Sequence, residues 1–251
     1  MRSISKRVAP EPPLIELGAA GTFHVKHRET STLLPTQVRQ ILEHSPEVAQ
    51  SGLGSDFLGR IEHFANALHL WGARTNLTAH PGDPVEVAFH IVDSLAPLTL
   101  NLCPTSLRER ARVLDLGSGA GFPGLVLAAA FAGDFTLAET RHKRATFLSM
   151  AAAAMGLTNV KVRAGRFSAE TVDSGFDVVT ARAVGEAGLE IIARALGAQG
   201  HAILWLGPEQ TISVDRVRNA GLGNLVRHDY VLRRGAEAVR RALLTVQKKS
   251  L

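Results

Sequence analysis

Asp115 stands two residues before the first of three alternating glycines, in the run Val113-Leu-Asp115-Leu-Gly117-Ser-Gly119-Ala-Gly121-Phe-Pro-Gly124. β-Favouring residues lead into this turn, and an apolar, helix-compatible run from Leu125 to Phe131 leads out of it. A strand that enters a glycine turn and leaves by a helix lets a ligand approach the main chain closely, because glycine has no Cβ and tolerates positive φ. A second carboxylate, Glu139, closes the next apolar stretch, Phe135-Thr-Leu-Ala-Glu139. In dinucleotide folds an acid about 20 residues past the turn binds ribose hydroxyls, with the pyrophosphate at the helix N-terminus. Glu139 fits the ribose role. Asp115 beside the turn favours a cationic ligand over a pyrophosphate. S-adenosylmethionine, with a sulfonium, an α-ammonium and no phosphate, is such a ligand. A nucleotide-binding turn and a purely structural glycine loop are the alternatives.

Two more constellations carry chemistry. Arg182 ends an apolar strand, where a guanidinium must find a carboxylate, a cofactor or a phosphate. A structural ion pair competes with the ligand readings there. His90-Ile-Val-Asp93-Ser94 places His90 and Asp93 three apart, on one face if the helix continues that far. A helix cap by Asp93 or Ser94 is the plainer reading. These residues lack the companions of a zinc site, and no Gly-x-Ser-x-Gly elbow supports a serine triad.

The elements that must position these groups are legible. Helical spacing covers Thr36–His44 and Ser55–Trp71, the latter with Ser55 or Asp56 as N-cap, and Pro84 opens a helix to about Ile91. Strand signals fall at Val113–Leu116, Phe135–Glu139, Val160–Arg163, Asp177–Ala181 and Ala202–Leu206. Helical stretches alternate with them: Pro123–Ala132, Lys143–Met155 with Gly156 as stop, a short piece near Phe167–Val172, and Glu186–Leu196. A further helix follows Pro208, and Leu225–Leu232 with Ala242–Gln247 reads as a final hairpin. The expected fold is α/β, Rossmann-like, with a seven-stranded, mostly parallel sheet and an N-terminal helical extension. In such sheets ligands bind at the carboxyl ends of the strands. Asp115, Glu139, Arg166-Phe-Ser168 and Arg182 all follow strands there. The expected organisation is a disordered leader over residues 1–34, the helical extension over 35–105 and the Rossmann-like domain over 106–251.

Composition narrows the partners. A chain of 251 residues with 45% hydrophobic residues can bury a real core. Its longest apolar run, Leu125–Ala132, is too short to span a bilayer. The start of the chain lacks a secretory apolar segment, and the single cysteine, Cys103, is expected to be a small buried hydrophobe in a reducing compartment, so a cytoplasmic location is expected. Net charge is +5, with basic runs at Arg108/Arg110/Arg112, Arg141-His-Lys-Arg144, Arg233-Arg234, Arg240-Arg241 and Lys248-Lys249. Such an excess favours polyanions through counterion release. Aromatics at 5% argue against an extended base-stacking platform.

Five blocks occur together in order: Trp71-x4-Asn76-Leu-Thr78, His90-Ile-Val-Asp93-Ser94-Leu95, the glycine run ending Gly121-Phe-Pro-Gly124, Lys143-Arg144-x2-Phe147-Leu148, and Ala181-Arg182-Ala183. Over residues 35 to 248 the chain resembles the bacterial 16S ribosomal RNA guanine-N7 methyltransferases, also called glucose-inhibited division protein B. The resemblance implies a class I methyltransferase that carries S-adenosylmethionine, releases S-adenosylhomocysteine, and acts on 16S rRNA or the small ribosomal subunit as a monomer. It implies cofactor contacts at Gly117, Phe122, Glu139, Thr140, Arg141, Phe167, Ser168 and Arg182. Asp115, Gly117, Gly119 and Gly121 are expected around the methionine moiety, Glu139 at the ribose and Phe122 in packing. Asn76, His90, Asp93 and Arg182 are the expected positioning residues on the guanine side. Guanine N7 carries a free in-plane lone pair, so neither a strong base nor a metal is required. One departure is Trp205-Leu206-Gly207, where the family commonly has Leu-Lys-Gly; Arg141 or Arg234 would have to compensate. Competing readings are a methyltransferase for another RNA, a protein or a small molecule, a non-catalytic RNA-binding assembly factor, and a nicotinamide dehydrogenase.

Overall fold

The computed structural model describes residues 28–104, 110–183, 185 and 188–249. Residues 1–27, the greater part of the expected leader, lie outside the described residues. The strands are β1 (Arg112–Leu116), β2 (Asp134–Glu139), β3 (Val160–Ala164), β4 (Phe176–Arg182), β5 (Leu196–Leu206), β6 (Leu222–Arg234) and β7 (Glu237–Lys248). They form one seven-stranded sheet in the order β3-β2-β1-β4-β5-β7-β6. β7 runs antiparallel to both its neighbours, β5 and β6, and the remaining pairings are parallel. The chain winds outward from β1 to β3, then returns to pair β4 on the other side of β1. That reversal opens a crevice at the carboxyl ends of β1 and β4.

Helices α1 (Arg28–Glu43), α2 (Pro46–Ser51), α3 (Ser55–Thr75), α4 (Pro84–Ser94) and α5 (Ala96–Thr99) precede the sheet. The crossovers carry α6 (Gly124–Ala130), α7 (His142–Ala154) and α8 (Gly188–Ala195), and α9 (Val214–Asn219) precedes β6. Side chains on a strand alternate between faces. Val113, Phe135, Leu137, Val178, Ile203 and Trp205 therefore share a core with α1, α3 and α4, whereas Leu114, Leu116, Ala138, Val179, Ala181 and Leu204 pack under α8 and α9. The same parity puts Asp115, Glu139, Thr180 and Arg182 on the first face. The division expected at 105/106 is thus not a division of the core: the helical extension and the sheet bury one another.

Four expectations need correction. Helix α1 begins at Arg28, inside the expected leader, because Leu34 joins Val38 and Leu42 on one buried stripe and rewards extension through Pro35. The cap of α3 is Gly54, in extended conformation and with no side-chain bond, and Ser55 is already helical. Phe167–Val172 forms no helix. The Thr171 hydroxyl accepts from the Ser168 N–H, and one turn closes on the Ser168 carbonyl. Cys103 is partly exposed, since it sits beyond α5 in an irregular link.

Asn159 couples β3 to the crossover behind it. Its side-chain amide approaches the carbonyls of Ala128, Phe131 and Gly133 at 3.2, 3.1 and 2.9 Å, satisfying the C-terminal end of α6 and the turn into β2. Asn159→Ala should cost about 2 kcal/mol, since part-buried carbonyls lose their donor. Urea unfolding with an unchanged m-value checks this; a loss under about 0.5 kcal/mol would show that water replaces the amide.

Candidate active site

The glycine turn is built over the end of β2. The N–H groups of Gly117 and Ser118 both reach the Ala138 carbonyl, at 2.9 and 3.0 Å, and Gly121 N–H reaches the Ser118 carbonyl at 2.7 Å. Gly119 N–H donates to Glu139 Oε2 at 2.9 Å, and Arg141 N–H donates to Oε1 at 2.8 Å. Glu139, 6% exposed, therefore locks the turn from its place at the end of β2. Gly117, at φ +76°, faces open space: a Cβ there would meet no atom within 4 Å. The turn thus offers an open side, while the four named N–H groups are already paired within the protein.

Asp115 lies beneath this turn and not on its open side. It is 1% exposed. Thr180 donates to its Oδ1 at 2.8 Å, and Oδ2 makes no hydrogen bond among the described residues. Gly124 approaches so closely that a Cβ would stand 2.4 Å from Oδ2. Burial pushes the carboxyl pKa up to about 6, with the hydrogen bonds pulling the other way. Its side chain points into the sheet's first face, beneath the turn, where it is buried. Phe122 is likewise buried, its ring 5.2 Å from Phe64 and 5.3 Å from His90. It packs α3 and α4 against the turn.

A denser cluster flanks the crevice on the β4 side. Helix α4 continues past Ile91 to Ser94, so His90 and Asp93 do share a face. Neither caps the helix: the Ser94 hydroxyl donates to the His90 carbonyl, and the Asp93 carboxylate turns inward. Asp93, 0% exposed, takes the Arg182 guanidinium on Oδ2. It also takes Arg241 on both oxygens at 3.2 and 2.9 Å and the Tyr230 hydroxyl at 2.6 Å. The Asp93 carbonyl accepts from Trp205 Nε1 at 2.8 Å. Arg182 Nη1 lies 3.4 Å from His90 Nδ1, and its buried Nε makes no hydrogen bond among the described residues. Burial and the neighbouring Arg182 charge push His90 down to about 4, so its ring is neutral at pH 7. Burial likewise lowers Arg182, and it lifts Tyr230 well above the usual phenol range.

The structure therefore brings together Glu139, Gly117, Gly119 and Gly121 at the turn, and His90, Asp93 and Arg182 beside it. Thr140 and Arg141 are exposed just past β2, and Phe167 and Ser168 are half-buried past β3. Asn76 makes no hydrogen bond with His90, Asp93 or Arg182 among the described residues. It ends α3 at φ +51°, and its carbonyl accepts from Arg144 at 2.9 Å. Leu206 is buried in the second core, so a lysine there would have no solvent-facing position. Arg234, one of the two expected substitutes, is held by Glu86 and Glu237. Sequence reasoning missed Thr180, Tyr230 and Arg241. Tyr230 is the chain's single tyrosine, set two residues before the buried Leu232, and that parity is the signal that could have found it.

A family model described as rRNA small subunit methyltransferase G matches residues 58–211. A protein named ribosomal RNA small subunit methyltransferase G from Wolinella succinogenes is 34% identical over 173 residues, covering 68% of this chain and 86% of that one. Proteins of the same name from Sorangium cellulosum and Laribacter hongkongensis are 44% and 37% identical, covering 52% and 56% of their own lengths. The match thus spans about half of those two relatives. Among solved structures, a mutant of MtNAS in complex with S-adenosylmethionine aligns with TM-score 0.51 at 16% identity, covering 88% of this chain and 93% of that one. An enzyme of echinomycin biosynthesis that converts a disulfide into a thioacetal aligns at 0.50 and 16%, covering 62% and 81%. These two likenesses show the fold alone.

The raised Asp115 pKa sets a pH signature. Between the unfolded value near 3.8 and the folded value near 6 the folded state holds the extra proton, so this group's contribution to stability falls as pH rises through that window. Asp115→Asn removes the dependence. Relative to wild type, the variant should gain about 3 kcal/mol between pH 3.5 and pH 7, read from urea unfolding at each pH. A difference that stays flat across that range would refute the buried, unpaired carboxylate.

Proposed function

The chain belongs to the rRNA small subunit methyltransferase G family, and from that premise we propose that it transfers a methyl group from S-adenosylmethionine to N7 of a guanine in 16S rRNA. The observation that carries the cofactor half of this reading is the state of the glycine turn. Its N–H groups at 117, 118, 119 and 121 are spent on internal acceptors, and carboxylates lie on both sides of it at Asp115 and Glu139. A pyrophosphate would meet few free donors and two negative charges there. A sulfonium and an ammonium would meet a favourable potential. That argument disfavours the nicotinamide reading as well.

When bound, S-adenosylmethionine supplies a methyl group activated by its positive sulfur. The chain's own residues bind and orient. Glu139 keeps a lone pair on each oxygen for ribose hydroxyls after taking the Gly119 and Arg141 N–H groups. The open side of Gly117 admits the ligand against the main chain, and Asp115 holds the turn from beneath. Thr140, Arg141, Phe167 and Ser168 line the neighbouring strand ends, where the adenosine end would lie. On the guanine side, neutral His90 and the Arg182 guanidinium, fixed by Asp93, offer a wall and a positive charge. The nucleophile needs no deprotonation, so the protein contributes alignment and electrostatics rather than a base. Action as a monomer is part of this proposal. An rRNA substrate supports action in the cytoplasm.

Glu139→Ala should weaken S-adenosylhomocysteine binding at least about tenfold in calorimetry, the order expected for lost hydrogen bonds to a charged group. Unchanged affinity would remove Glu139 from the site. Labelled methyl transfer to 16S RNA from a strain lacking this gene, followed by mass mapping, tests the whole reading: label on guanine N7 supports it, and label only on protein defeats it. The value of kcat/KM should be level between about pH 7 and pH 9, because no protein group titrates in the methyl acceptor's favour. A limb with a midpoint near 7 would mean that a base takes part.

A further inference from the structure

Strand β5 ends at Leu206, which pairs with Ala242 of β7. Beyond that rung, Tyr230–Arg234 of β6 and Glu237–Arg241 of β7 pair only with each other. Five rungs at roughly 3.3 Å each carry this hairpin about 16 Å past the carboxyl edge of the sheet, the edge that holds the crevice. A bare two-stranded ribbon is marginal in water, so its attachment matters. One face of the ribbon is fully engaged. Tyr230 and Arg241 bind Asp93, Leu232 is buried, and Arg234 reaches Glu86 at 3.1 Å and lies over the Phe89 ring. The arm is thus braced along α4.

The opposite face carries Val231, Arg233, Ala238 and Arg240, by strand parity and register. Val231 is 58% exposed, and both arginines are exposed. Arg233 and Arg240 occupy diagonal positions, a spacing of roughly 7 Å, close to the separation of successive phosphates on a nucleic-acid strand. The ribbon's own acids are taken: Asp229 by Arg227 and Glu237 by Arg234. Arg233 and Arg240 make no ion pair among the described residues. Two uncompensated guanidiniums on a braced arm beside the crevice fit the backbone of an RNA, and the absence of a free acid on that face argues against a basic protein partner.

We propose that the projecting β6–β7 hairpin is an RNA-docking arm, gripping the substrate's phosphate backbone through Arg233 and Arg240 while its inner face is anchored on Asp93. This rests on the rRNA reading above. The test compares wild-type protein with the double variant Arg233→Gln, Arg240→Gln on naked 16S RNA, by filter binding across a salt series. Affinity should fall about tenfold near 0.1 M salt, and the slope of log affinity against log salt should become shallower by about 1.5, the value for two phosphates. Calorimetric affinity for S-adenosylhomocysteine and the melting temperature should not move, and Arg233→Lys, Arg240→Lys should recover most of the loss. A double variant that binds naked RNA with wild-type affinity and slope overturns the arm alone. That would be the result if the ribbon met a ribosomal protein instead. Wild-type protein that binds no RNA at all overturns both the arm and the function on which it rests.

Discussion

A carboxylate at zero exposure is tolerable only if charge and hydrogen bonds replace the water it has lost, and Asp93 meets that condition with two guanidiniums and a phenol. Those partners come from three places in the chain: the end of β4, the middle of β6 and the start of β7. The Asp93 carbonyl adds Trp205 of β5. One residue on α4 therefore fixes the helical layer against the sheet and against the C-terminal hairpin at once. Removing the carboxylate would leave two buried positive charges facing each other, so the geometry around it has little freedom to drift.

That rigidity reaches the crevice through Arg182. Its side chain is pulled toward α4 by Asp93 and lies against His90, whose ring stays neutral beside two guanidiniums. The other buried acid, Asp115, is compensated quite differently. No guanidinium pairs with it among the described residues; burial raises its affinity for a proton, and hydrogen bonds such as that from Thr180 and the field of the nearby Arg182 offset this in part. The two acids divide the labour: Asp93 orders positive charge beside the crevice, and Asp115 keeps negative charge under the turn.

The glycine turn, the five parallel strands and the crossover helices α6, α7 and α8 were legible because each rests on local signals, namely a period of two, a period of 3.6 and glycines where positive φ is required. Glu139 was legible for the same reason, ending its strand about 20 residues past the turn. Tyr230 and Arg241 were not. The stretch from Arg233 to Arg241 reads as polar loop, so the strands were expected to stop at Leu232 and start at Ala242. What makes it a ribbon is the anchoring on Asp93, which lies 137 and 148 residues away in sequence. The burial of Asp115 was not legible either. Parity assigns it to the helix-covered face, but only the approach of Gly124 shows how little room is left there.

Net charge is a similarly blunt guide. The basic excess of the chain invites the view that its arginine runs form one RNA-binding surface, yet many of these side chains are consumed within the protein. Arg39, Arg163 and Arg227 meet acids, Arg60, Arg112 and Arg144 meet carbonyls, and Arg182 and Arg241 are part of the Asp93 cluster. Each adjacent pair on the hairpin is split by the pleat, one arginine turned inward to an acid and its neighbour outward to solvent. Half of each run therefore builds the arm, and the other half is left to act on whatever approaches it. Exposed basic side chains stand at Arg141 and Lys143 past β2, Arg166 past β3, and Arg233 and Arg240 on the arm. All of these lie on the edge of the sheet where the crevice opens.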